Sequence, residues 1–207
     1  MTLSDQDRTQ AETTVSPFNA QSGLDDDMPN VIWNMLQELS TRPNVPDGVN
    51  IGKRTIFELC DQRSIGPVTL DIEHRLTAEL SEYPFEARYE EGLFISDLSD
   101  IIDDPSCSYP AAELAMEKYD PAGYDIQPAG RGHARKLRIL VLAVNHDSVL
   151  YYDPLRYGKV NQSQLSGIET SEIDKQEFVN AWKGRSETTS TLWVEETEQS
   201  RLAKFNS

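Results

Sequence analysis

Between Leu137 and Pro154 the chain reads LRILVLAVNHDSVLYYDP, and this stretch narrows the folding options more than any other. Apolar side chains run through Leu137, Ile139, Leu140, Val141, Leu142 and Val144, then stop at Asn145-His146-Asp147-Ser148. A second apolar run, Val149 to Tyr152, ends at Asp153-Pro154. Two short runs rich in β-branched and aromatic residues, joined by a polar turn, predict a buried antiparallel strand pair. Proline cannot extend a ladder, so the second strand closes at the Asp-Pro corner. Some twenty residues on, DKQEFVNAW predicts an amphipathic helix over Lys175 to Trp182, with Phe178 and Trp182 on its apolar side.

Other segments fill in an α+β order, with helices first and antiparallel strands later. Residues 1–18 are rich in Ser, Thr, Gln and Asp and lack periodicity, which predicts a disordered arm. Val31, Ile32, Met35, Leu36 and Leu39 follow Asp25-Asp26-Asp27 and Pro29 at helical spacing. Aspartate beside an early proline marks a helix start, because the carboxylate satisfies orphan N–H groups and complements the dipole. After a Pro/Gly loop from Asn44 to Gly52, helices are expected over Arg54 to Gln62 and Val68 to Leu80. The second would present Leu70, Ile72, Leu76 and Leu80 on one face. Phe85 to Glu90 alternates like a strand, and Ile95 to Ile102 forms a short helix with Leu98, Ile101 and Ile102 inward. Tyr109 to Tyr119 fits either a helix, from the propensity of AAELAMEK, or a core strand. A Gly- and Pro-rich loop covers Pro121 to Ala134. A last strand spans Thr191 to Val194, and a polar tail begins at Glu195. The expected domain is 19–195, followed by a tail over 196–207.

The chain of 207 residues suffices for one domain with a sizeable core. Its 35 acidic residues against 19 basic give a formal charge of -16, spread along the whole length. That field repels phosphate, so nucleic acid is not expected as a partner. A dispersed acidic surface suits a halophilic archaeal protein working in high salt, ahead of an acidic docking tail, which would concentrate its charge. No segment reaches the roughly 18 apolar residues of a membrane span, and the first residues form no secretory signal. A cytoplasmic, reduced protein is expected, without membrane, metal or cofactor. The two cysteines, Cys60 and Cys107, form no metal or disulfide spacing.

The strand pair, the Asp-Pro corner and the F-x-x-A-W helix together resemble the C-terminal half of the C39-like, papain-fold cysteine peptidases. That family reads approximately H-A-V-V-V-x-G-Y, then V-x-V-x-D-P, then F-x-x-A-W. Near the N-terminus, QSGLDDDMPNVIWNMLQEL over Gln21 to Leu39 is similar to the family's Q-x-x-x-D-C-G-P motif and the helix after it. The resemblance implies a papain-like domain with N-terminal helices packed on a C-terminal antiparallel sheet. It places Gln21 on the oxyanion side, Asp27 at the nucleophilic cysteine, Met28 at the glycine, Arg138 at the base histidine and Asp153 at the aspartate that orients it. Only Asp153 keeps the family's residue among those three catalytic positions. A carboxylate is a poor nucleophile toward amides, and a guanidinium stays protonated and cannot act as a general base. The expectation is a peptidase-like protein that has lost its chemistry. Asp27, Arg138 and Asp153 would converge as a carboxylate–guanidinium–carboxylate clamp, and the domain would bind a peptide or protein segment.

Other residues offer displaced chemistry. His133 lies five residues before Arg138, which puts it on the other side of a regular strand and ~17 Å away. His146 in the turn and His74 on a polar helix face are expected to be solvated. Cys60 falls on the apolar side with Ile56 and Leu59 and is expected to be a buried structural thiol. Cys107, in a loop, has no basic neighbour to lower its pKa. Arg131, His133 and Arg135, within GRGHARKLR, form the one basic cluster and could hold an anion or an acidic segment of a partner. Asp97, Asp100, Asp103 and Asp104 lack calcium-loop spacing and are expected to form a solvated helix face. Two further readings stay open. One is an active cysteine hydrolase or acyl-transfer enzyme of the same fold; the other is an unrelated acidic interaction protein. The second would not pack the N-terminus of the 29–40 helix against strand 137–144.

Overall fold

The structure, a computed structural model, describes residues 27–41, 48–60, 68–115, 118–119, 136–154, 170–184, 187–198 and 200. The helices are α1 (Asp27–Ser40), α2 (Lys53–Leu59), α3 (Val68–Glu79), α4 (Ile95–Asp103) and α5 (Lys175–Lys183). The strands are β1 (Phe85–Glu91), β2 (Ala111–Ala115), β3 (Lys136–Val144), β4 (Ser148–Tyr152), β5 (Ser171–Asp174) and β6 (Ser190–Glu196). The six strands form one antiparallel sheet in the order β1-β6-β2-β3-β4-β5. The protein is thus α+β, with helices leading and most of the sheet following.

Alternation along β3 divides the core between two faces of the sheet. Leu140 and Leu142 belong to one apolar cluster with α1, α2 and α3, which includes Val31, Ile32, Met35, Leu36 and Leu39. Leu137, Ile139 and Val141 belong to a second, with Leu98 of α4 and Phe178, Ala181 and Trp182 of α5. Both faces are covered, which is why β3 and β4 read as continuous apolar runs rather than alternating ones. The apolar periodicity of α1 survives intact, since all five of its spaced hydrophobes are buried.

The hairpin, α1 and α5 lie where their patterns place them. Helix α5 begins at Asp174, whose carboxylate accepts from the N–H groups of Gln176 and Glu177 and so caps two orphan donors. It ends at Gly184, where φ is 58° and ψ is -150°, a region that is essentially glycine-only. Phe178 and Trp182 stack with ring centroids 5.6 Å apart against the sheet. Leu98 of α4 is buried as expected and Ile102, partly buried, packs against the same cluster, while Ile101 is partly buried.

Three segments depart from the sequence expectation or resolve an ambiguity. AAELA is a strand, because β2 lies between β3 and β6 and pairs with both; ladder bonds on two sides override alanine's helix propensity. Ser171–Asp174, to which the sequence patterns assigned no element, is strand β5, with Ser171 and Ile173 buried and Glu172 and Asp174 exposed. Its single large hydrophobe left too weak a pattern to read. Strand β6 continues two residues into the expected polar tail. Glu195 and Glu196 pair with Glu86 and Phe85, and the Glu196 N–H donates to the Ser106 carbonyl. The N-terminal arm, the loop before Lys136 and most of the C-terminal tail lie outside the described residues. Among the described residues, no helix is long and apolar enough to cross a membrane.

Candidate functional site

The start of α1 meets the sheet at a cluster of charges. Asp27, the first residue of α1, has no solvent exposure. Its Oδ1 accepts from the Met28 N–H at 2.7 Å, and its Oδ2 accepts from the backbone N–H of Arg138 at 2.7 Å. The Arg138 guanidinium adds an ion pair, with Nη1 3.5 Å from Asp27 Oδ1. Its Nη2 lies 3.0 Å from Oε2 of Glu113, and Glu113 is also ion-paired with Lys136. Among the described residues, Arg138 Nε has no hydrogen-bond partner. Charges therefore alternate from Lys136 through Glu113 and Arg138 to Asp27, linking β3, β2 and α1.

Local structure fixes each member. Glu113 and Arg138 stand directly opposite in the β2–β3 register, the arrangement in which a cross-strand ion pair forms without distorting the backbone. Arg138 is even-numbered like Leu140 and Leu142, so it faces the side of the sheet that carries α1. Asp27 reaches it because the helix docks its N-terminal end on β3. The side chain of Arg138 is 13 % exposed and that of Glu113 is 9 % exposed, so the pair is largely withdrawn from water.

Burial raises the Asp27 pKa from 3.8 to about 6, while the charge of Arg138 and the N–H groups of Arg138 and Met28 pull it back down. Burial also opposes the charge on Arg138, but Asp27 and Glu113 more than offset this and hold the guanidinium protonated beyond its ordinary range. At neutral pH the cluster is an ionised, internally neutralised clamp. The Asp27 carboxylate within it is closed to solvent.

Asp27 and Arg138 are brought together as the sequence suggested. A carboxylate that the sequence did not suggest, Glu113, also pairs with Arg138. Asp153 is buried at the end of β4. Glu113 went unnoticed because AAELAMEK could be read as a helix; in a strand paired with β3, a lone acid amid apolar residues would have signalled a cross-strand cation. Gln21 and the cluster Arg131, His133 and Arg135 lie outside the described residues. His74 and His146 are exposed.

Neither cysteine is poised for nucleophilic work. Cys60, which closes α2 and is 8 % exposed, has its thiol pushed up to about 12. Burial is the main cause; Arg138 and Arg75 lower the value and Asp27 raises it. Cys107 is buried, with its Sγ donating to a carboxylate oxygen of Glu195 at 3.9 Å. Among the described residues, no group of three or more His, Cys, Asp or Glu side chains could hold a metal ion.

The chain matches no family model, no curated protein and no solved structure.

Proposed function

We propose that this protein is a catalytically silent, C39-like module that binds a peptide or protein segment and acts through that binding. The observation that carries this reading is the Asp27–Arg138 contact. The N-terminus of α1 lies against β3, with a buried carboxylate where the resemblance puts the cysteine and a guanidinium where it puts the histidine. The unrelated acidic protein considered from sequence would not have packed that helix end on that strand. Support also comes from the element order: α1 leads, the β3–β4 pair ends in Asp153-Pro154, and α5 and β6 follow.

A buried ion pair contributes little net stability, because desolvation offsets its attraction, but it fixes which surfaces meet. In this reading the clamp keeps the old helix–sheet junction in register after the loss of chemistry. The alternative of a working thiol enzyme is disfavoured by the burial of both cysteines and the raised pKa of Cys60.

The test has two arms. Folded protein incubated with denatured casein and with mixed fluorogenic peptides should show no turnover, and iodoacetamide should leave both thiols unmodified at neutral pH. Turnover that disappears in Cys60→Ser or Cys107→Ser would overturn the silent assignment. Selection from a random displayed-peptide library should return related sequences that bind the folded protein at micromolar Kd by calorimetry. A library that returns no binder would remove the peptide-binding reading.

A further inference from the structure

Strand β3 outruns its neighbour at the Arg138 end. It spans Lys136–Val144, but the paired residues of β4 stop at Tyr152, opposite Leu140. Two residues further on, the same register would set Pro154 opposite Arg138, and proline cannot extend a ladder. On the other side of β3 the Val141 N–H donates to the Pro110 carbonyl. Main-chain groups alternate along a strand, so those of Leu137 and Ile139 also turn toward β2, and those of Arg138 turn away from it. The Arg138 N–H therefore points to where β4 has ended. A side chain, that of Asp27, takes the place of the missing strand.

The donors gathered at that point are a strand N–H, a guanidinium and the Met28 N–H at the start of α1. Such a set receives a carboxylate: the N–H groups direct its oxygens, and the cation and the helix N-terminus favour its charge. It has room for one negative charge, since Lys136 and Arg138 against Glu113 leave a single positive charge for Asp27 to cancel. Asp27 fills this receptor incompletely. Its Oδ1 is shared between the Met28 N–H and Arg138 Nη1, and Nη1 stays 3.5 Å away, well beyond the roughly 2.7–2.9 Å of a good charge-assisted bond. Arg138 Nε, itself buried, has no partner among the described residues. The guanidinium thus keeps donor capacity that a short side chain tethered to the first turn of α1 does not use. That turn is weakly held from within the helix, because Pro29 has no N–H to give and the Met28 N–H goes to Asp27.

We propose that the Arg138 end of β3 is a binding site for the C-terminal carboxylate of a peptide, and that Asp27 is its built-in competitor, an autoinhibitory contact. The ligand carboxylate takes the Arg138 N–H and guanidinium, displaces the carboxylate of Asp27 and lifts the first turn of α1 from the sheet. Binding and release of that turn are then one coupled event. A phosphate monoester, at close to two negative charges, overshoots the single charge to be neutralised and is repelled by an acidic chain. The choice of a peptide rests on the proposed function; the receptor and its internal occupant do not.

The test removes the competitor and supplies the ligand. The full chain carrying Asp27→Ala is melted near neutral pH, at fixed ionic strength, in about 0.1 M of each of four additives. These are N-acetylglycine, the smallest model of a peptide C-terminus, its neutral counterpart N-acetylglycinamide, acetate and chloride. A Kd of about 5 mM shifts the folding equilibrium about twentyfold at that concentration and raises the thermal midpoint by about 5 °C. N-acetylglycine and acetate should do this; N-acetylglycinamide should act no more than chloride. The wild type and Asp27→Asn, in which a side chain still fills the site, should shift by less than about 1 °C, as should Asp27→Ala/Arg138→Met. If Asp27→Ala is unfolded in chloride, recovery of its circular dichroism in N-acetylglycine is the equivalent positive result. Carboxylates that stabilise or recover Asp27→Ala no better than chloride would overturn the proposal. So would an equal response of the wild type, since Asp27 would then not compete. Acetate acting without N-acetylglycine would refute the peptide terminus as ligand, whereas the displayed-peptide selection tests the proposed function by itself.

Discussion

Replacing Arg138 by methionine keeps the aliphatic stem but removes the cation from the centre of the buried cluster. Glu113 retains Lys136, so the loss falls mainly on Asp27, which has no exposure and keeps only its two N–H donors. At 3.5 Å, an effective dielectric near 20 gives an attraction of roughly 5 kcal/mol, most of which desolvation offsets in the wild type. Once the cation is gone the desolvation cost remains. The Asp27 pKa, about 6 beside Arg138, should climb by about two more units, which corresponds to roughly 3 kcal/mol. The cost therefore depends on pH. At pH 8 the carboxylate must ionise or hold a proton at a penalty, and Arg138→Met should lose about 3 kcal/mol. At pH 5 Asp27 is largely protonated with or without Arg138, so only about 1 kcal/mol of packing should be lost. Urea unfolding at both pH values and one fixed ionic strength measures this. The double variant Asp27→Asn/Arg138→Met should recover most of the loss at pH 8, because no buried charge is left unpaired. A pH-independent loss below about 1 kcal/mol, or a double variant no more stable than Arg138→Met, would refute the coupling.

Further outcomes follow from single sites. Because the folded pKa of Asp27 is raised, its contribution favours the fold below about pH 4 and is lost as pH rises through about 6. Asp27→Asn should flatten the stability profile across that window, and an unchanged slope in urea midpoints would show that another group titrates there. Phe178→Ala, which empties a fully buried site between α5 and the sheet, should cost about 3–5 kcal/mol in chemical denaturation. Gly184→Ala should destabilise by about 1–3 kcal/mol, since the backbone there is glycine-only and the new methyl group would meet Ala115 Cβ at 3.2 Å. With a net charge of -16, the thermal midpoint should rise from about 0.1 M to about 2 M potassium chloride as repulsion is screened.

Much of the fold was legible because its elements bury strong patterns. The β3–β4 pair, α1 and α5 each carry enough spaced or continuous hydrophobes to announce their own period. Strand β5 did not, since Ile173 is its only large apolar residue, and β2 could not be separated from a helix by propensity. Strand β6 ran further than its apolar residues suggested because β1 and the Ser106 carbonyl pair with Glu195 and Glu196. In the candidate site, Asp27 and Arg138 could be named from motif positions. Glu113 could not, because its role depends on the register of two strands.

The sequence by itself determined that this chain makes an α+β protein with a buried hairpin. It also singled out a carboxylate, Asp27, and a guanidinium, Arg138, as the two charges to look for together. Those facts reside in residue identity and local periodicity, which need no partner to be read. Only the tertiary structure decided which carboxylates Arg138 pairs with, because Glu113 reaches it through strand register and Asp27 through helix docking across 111 residues of sequence. The same is true of the titration of Asp27. Its sequence neighbours, Asp26 and Met28, say nothing of the burial that raises its pKa or of the distant cation that restrains it.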